Sequence, residues 1–220
     1  LFAAAVTMLP FLVLLVLGWL QLYLEILLRL EALPLSPSLL PVMGSFIESF
    51  VTCTRATWDE WVVNLHAQDC AETLRGEVEL FSDGTVGTNA PVDLLVFLNK
   101  PLLPVGQLQV AALTNALVRM CAETVTQYAL LLRGSARELA IDGVRGGGAG
   151  QRIKAAAAFA NNAQMLSGRL NEIESHAQVE LGLDSLFADD AGADLDFSGE
   201  AARSAMLAAA EALQDAADCA

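Results

Sequence analysis

Positive charge is what this chain has least of. Lys and Arg number 12 against 26 Asp and Glu in 220 residues, a formal net charge of −14. Nucleic acid is bound by clustered Lys and Arg that neutralise phosphates, so this balance excludes it as a partner and leaves room for a basic protein surface. Histidine is nearly absent, with His66 and His176 far apart. The four cysteines, Cys53, Cys70, Cys121 and Cys219, lie 17, 51 and 98 residues from one another. No C-x-x-C pair occurs, and these intervals match no usual zinc spacing. Scattered cysteines in a long helical chain read as reduced thiols of a cytoplasmic protein.

Motifs for chemistry are missing as well. There is no G-x-S-x-G and no H-E-x-x-H, and neither histidine has a Ser or Cys partner in a recognisable motif. The glycine run Gly146-Gly147-Gly148-Ala149-Gly150 is followed by Gln151-Arg152, not the Lys-Ser/Thr that a phosphate loop requires. Asp194-Leu195-Asp196-Phe197-Ser198-Gly199 matches the first half of an EF-hand loop, but Ala205 stands where the bidentate Glu belongs. The expectation is a protein without catalytic residues, metal or cofactor.

Hydrophobic residues are abundant, at 55%, and concentrate at the N-terminus. Residues 1–24 carry no charge. As a helix they have the length to cross the ~30 Å hydrocarbon core with some tilt. Trp19 and Tyr23 sit at one end, as in an interfacial aromatic belt. A helix buried in a larger bundle satisfies the same pattern, and both readings stand. The expected organisation is a very hydrophobic helix over 1–32, a Pro/Ser linker over 33–41 and a helical domain over 42–220. A chain that begins at Leu1 rather than Met also reads as a fragment of a longer protein.

Apolar spacing of three and four residues predicts helices over 42–81, 91–99, 106–141, 151–181 and 199–218. Flexible loops are expected at 82–91, 142–150 and 183–199. In the 106–141 helix, Val110, Leu113, Leu117, Met120, Thr124, Tyr128 and Leu131 lie on one face and Arg119, Glu123 and Gln127 on another, the pattern of a surface helix packed on one side. Ser198 is placed to N-cap the last helix. From Asp184 to Asp218 there are nine acidic residues and one basic residue, Arg203, which reads as a solvated face. No strand-like alternation is seen. The fold class is all-α, an elongated stack of antiparallel helices. Trp58 and Trp61, three apart on one turn, are candidate partner-binding residues if exposed and core anchors if not.

One stretch is unusual for a helix: Asn161-Asn162-Ala163-Gln164-Met165-Leu166-Ser167-Gly168-Arg169-Leu170. An Asn pair competes with helical hydrogen bonding, so its presence carries more information than a run of leucines. The stretch resembles the N-N-x-Q-x-L-x-x-x-L helix of MUN domains, the Munc-homology region of the Munc/Unc family of vesicle-priming proteins. Trp58 to Phe81, the segment Val92-Asp93-Leu94-Leu95-Val96-Phe97-Leu98-Asn99 and the Gln127-Tyr128-Ala129 helix end resemble other parts of that domain in the same order. The resemblance covers residues 20–220. It implies a helical protein-interaction module that engages syntaxin-type SNAREs in vesicle priming and exocytosis, with Asn161, Asn162, Gln164, Leu166 and Leu170 as structural motif residues. Its place would be the cytoplasmic side of a membrane, with membrane contact through residues 1–24. The sequence departs from the family in its uncharged N-terminus and its glycine linker. A reading of a different class is a single-pass membrane protein with a helical cytoplasmic scaffold or transport-accessory domain.

Overall fold

The computed structural model describes residues 39–81, 84–102, 105, 111–145, 149–181 and 199–219. The hydrophobic segment 1–32, most of the Pro/Ser linker, the acidic segment 183–198 with Ser198, and the glycines at 146–148 lie outside them. Of the described part, 87% is helical, in five helices packed against one another, so the fold is all-α. Among the described residues no helix is long and apolar enough to cross a membrane.

Helix α1 spans Leu39–Arg75. It begins three residues before the expected helix start at 42. Pro41 falls in its first turn, where a missing N–H costs no helical hydrogen bond. The predicted end at Phe81 is corrected to Arg75. Gly76 takes φ +82°, the left-handed conformation that closes a helix. Gly76 N–H donates to Thr73 O (3.0 Å) and Glu77 N–H to Glu72 O (3.0 Å), the paired bonds of a Schellman cap. The spacing of Leu74, Val78 and Phe81 resembles a helical face, but the chain has already left the helix.

Beyond Gly76 the chain forms an antiparallel hairpin, where the sequence showed no strand. Strand β1 (Glu79–Leu80) pairs with β2 (Val86–Gly87) in the register Glu79 to Gly87 and Leu80 to Val86. With two residues on each side there is no run long enough to alternate. Phe81 N–H donates to Thr85 O (2.8 Å) and Gly84 N–H to Phe81 O (2.9 Å), closing the turn.

Helix α2 (Ala90–Asn99) starts on Asn89, whose carbonyl accepts from Val92 and Asp93 N–H, and has Pro91 in its first turn. Helix α3 (Ala111–Arg145) comes next, then α4 (Ala149–Leu181) and α5 (Gly199–Ala217). The expected loop at 142–150 is therefore helical over 142–145 and 149–150.

Helix α3 packs against α1, α4 and α5. Leu113, Leu117, Met120 and Tyr128 on one face and Val118, Cys121, Ala122 and Val125 elsewhere on the helix are all buried. The expectation of a surface helix packed on one side is thus corrected to a central helix. Its half-exposed polar residues are spent on neighbours: Arg55 of α1 pairs with Glu123, and Arg119 Nε donates to the same carboxylate at 2.8 Å. Helix α5 buries Gly199, Ala202, Met206, Ala209, Leu213 and Ala216 in strict three- and four-residue steps, a narrow stripe suited to close approach. Arg133 Nη1 of α3 donates to Asp215 Oδ2 of α5 at 3.0 Å.

Candidate functional site

The two tryptophans do not form an open pair. Trp58 is 5% exposed and belongs to the core. Its ring meets Phe97 of α2 edge-on, centroids 5.7 Å apart at 62°, while Trp61 stacks on the same ring at 3.9 Å and 10°. Together they grip α2 against α1. Trp58 has no surface to present to a partner, and Trp61 is half-buried.

The residues of the Asn-rich motif take separate places. Leu166 and Leu170 are in the core and Gln164 is exposed. Asn161 Nδ2 donates to Val86 O at 2.8 Å. Asn162, with no exposure at all, donates from Nδ2 to Thr88 Oγ1 (2.8 Å) and Asp69 Oδ2 (3.3 Å), and its Oδ1 accepts from Thr88 N–H (3.0 Å). The pair is locally unfavourable for a helix because its amides seek backbone groups. Here the groups they find belong to the hairpin and not to α4.

Gly87 makes the approach possible. A Cβ there would fall 2.6 Å from Phe81 Cε2 and 2.8 Å from Asn162 Oδ1. Asn162 is held by three hydrogen bonds and cannot yield. Gly87→Ala is therefore expected to cost about 1–3 kcal/mol by overpacking, read in a denaturant melt. A melt unchanged from wild type would mean that hairpin and α4 are not in this contact.

Asn162 is one member of a buried polar joint. Asp69 of α1, 2% exposed, accepts on Oδ2 from Tyr128 Oη of α3 at 3.0 Å, while its Oδ1 has no partner among the described residues. Burial raises the Asp69 pKa above its ordinary 3.8. Hydrogen bonds from Thr88, Tyr128 and Asn162 oppose that rise, and the Glu72 charge adds to it. Burial, with the facing carboxyl, also holds Tyr128 protonated well above its ordinary range, which suits its role as donor.

One turn away lies a second cluster. His66 Nε2 is 3.2 Å from Ser135 Oγ and 3.4 Å from Cys70 Sγ, and the Cys70 and Ser135 side chains are 3.5 Å apart. Burial lowers the His66 pKa below 6.5, against a main-chain hydrogen bond at Leu131 that raises it. The imidazole is therefore neutral near pH 7. Burial and the Asp69 and Glu138 charges raise the Cys70 pKa, against a hydrogen bond from Ser135, so Cys70 is a thiol and a poor nucleophile.

His66 thus does have Ser and Cys neighbours, brought from α1 itself and across from α3. Yet Ser135 sits inside α3, where backbone N–H groups are committed to helical hydrogen bonds and offer no oxyanion donors. Among the described residues no group of three or more His, Cys, Asp or Glu side chains is placed to hold a metal ion. The arrangement can bind helices to one another and keep the Tyr128 phenol protonated.

Signals for this joint exist in the sequence. Trp58, Val62, His66, Asp69 and Thr73 recur at three- and four-residue steps on α1, so Asp69 occupies an apolar-stripe position. A carboxylate there demands donors from a facing element. Nothing in the pattern says which element supplies them.

No family model, curated protein or solved structure matches this chain.

Proposed function

We propose that this chain is a non-enzymatic helical interaction module of the MUN type, which engages syntaxin-type SNAREs in vesicle priming and exocytosis. The observation that carries the reading is the Asn161–Asn162 pair. The residues on which the resemblance rests most heavily are spent on joining α4 to the hairpin, a fold-specifying role of the kind a family motif preserves. The packed helices support it too, since their chemistry-bearing side chains turn inward and leave helical surface outward. An elongated antiparallel stack, placed on the cytoplasmic side of a membrane with residues 1–24 in contact with the bilayer, completes the proposal. The mechanism is binding that favours the SNARE's open state, a population shift that needs no cofactor.

Titrating a labelled syntaxin cytoplasmic domain into residues 39–220, with helicity checked by circular dichroism, tests it. Saturable binding that survives ~0.3 M salt is expected, because exposed charge attraction is largely screened there. A well-folded helical protein that shows no saturable binding contradicts it. The lack of charge over residues 1–24 favours a second reading, a single-pass membrane protein with a helical scaffold or transport-accessory domain. Carbonate extraction of the full chain separates the two, since a spanning protein stays in the membrane and a peripheral one is released.

A further inference from the structure

We infer that Asp69 is a proton-operated lock on the joint between the hairpin and the helices: protonated, it holds the joint closed, and ionised, it loosens the hairpin from α4. The lock does not depend on the partner proposed above. The Asp69 side chain of α1 meets Tyr128 of α3, Asn162 of α4 and, through Asn162, Thr88, the residue that follows β2 and leads out of the hairpin. All four residues are at most 3% exposed. No other described carboxyl joins so many elements by hydrogen bonds.

The ionised form is poorly served in this place. The hydrogen bonds from Tyr128 and Asn162 favour the anion but bring no positive charge, and the one charged group acting on the carboxyl is the anionic Glu72 of its own helix. Oδ1 has no partner among the described residues. The other titratable groups around the joint add no positive charge. On α1, His66 is held neutral and Cys70 is a thiol. On α3, Tyr128 is a protonated phenol, and Glu138 places a further negative charge near Cys70. From α2, Asp93 acts on Tyr128 with the same sign. Helix α4 contributes the neutral Asn162 and Phe159, and the hairpin contributes Thr88. A buried carboxylate without a cation and with one oxygen unpaired is costly, and two responses remove the cost: a proton, or water. Of the elements that meet at this joint the hairpin is the smallest, with two paired residues on each strand, so its departure is the least costly route by which the ionised form is solvated.

The direction of the shift sets the sign. A carboxyl whose folded pKa is raised contributes stability that is fully present below its ordinary 3.8 and is lost as pH rises through the folded value. Closure of the hairpin therefore weakens with rising pH, by at most about tenfold in the opening constant per pH unit within that window. Asp69→Asn keeps the shape and an acceptor for Tyr128 and Asn162 but cannot ionise.

Hydrogen exchange of residues 77–89 in the full chain, corrected for intrinsic rates, reads the opening directly. The ratio of protection in D69N to that in wild type, followed from about pH 3 to about pH 7.5, is expected to grow once pH passes 3.8, by up to about tenfold per unit, until the folded carboxyl has ionised. A ratio that stays constant or falls over that range overturns the lock. Should the variant fail to fold, the wild-type Asp69 carboxyl is followed by carbon NMR through the same titration. A midpoint above 3.8 with hairpin exchange rising in step supports the lock; a midpoint at or below it, or exchange that ignores it, overturns it.

Discussion

Replacing Asn162 by alanine is expected to destabilise the protein by about 3 kcal/mol, a loss of about 6–12 °C in melting temperature for a domain of this size. The side chain is wholly buried and makes three hydrogen bonds. Its removal strands Thr88 N–H, takes a donor from Asp69 Oδ2 and leaves a gap that a methyl group does not fill. A buried polar group deprived of its partner costs about 1–3 kcal/mol, and the cavity adds to this. The neighbouring Asn161 is a control within one residue. It is half-buried and makes one bond, to Val86 O, so Asn161→Ala should cost no more than about 1 kcal/mol. Urea denaturation of both variants decides. Equal losses would show that the Asn pair acts as a generic helix feature and not through its hydrogen bonds to the hairpin.

Trp58→Ala should have the second large effect, about 3–5 kcal/mol. The ring is 5% exposed and packs edge-on against Phe97, so its loss empties the contact between α1 and α2. Trp61→Ala should cost about 1–2 kcal/mol, since a half-buried ring stacked on one neighbour loses less area and one aromatic pair. Thermal melts followed by circular dichroism give both values. If Trp58→Ala leaves the melt unchanged while lowering affinity for a partner, the tryptophan is a contact residue and its burial in the core is wrong.

Helices are legible because their signal is local. The step pattern of α5 can be read directly from Ala202, Met206, Ala209, Leu213 and Ala216, and Pro91 announces the start of α2. The end of α1 is not legible in the same way, because Leu74, Val78 and Phe81 keep a helical interval past Gly76, and a single left-handed glycine outweighs that interval. The hairpin is hidden for a different reason. Four paired residues have no periodicity, and their stability comes from Asn161, Asn162 and Gly87, which meet only after α4 folds back some 75 residues later. The central place of α3 is masked because Arg119 and Glu123 read as a solvated face. In the fold they are half-exposed, Arg119 bonded to Glu123 and Glu123 paired across to Arg55 of α1. The joint itself has only half a signal, a carboxylate on an apolar stripe, because its donors come from three other elements.

The central structural claim is that α4 and the hairpin are held by the amide of Asn162 acting on Thr88. A double-mutant cycle with Asn162→Ala and Thr88→Val measures it most directly, by urea denaturation of the wild type, both single variants and the double variant. The claim predicts a coupling energy of about 1–2 kcal/mol, since each substitution removes a partner of the other. Coupling below about 0.3 kcal/mol, the level of independent sites, would contradict it.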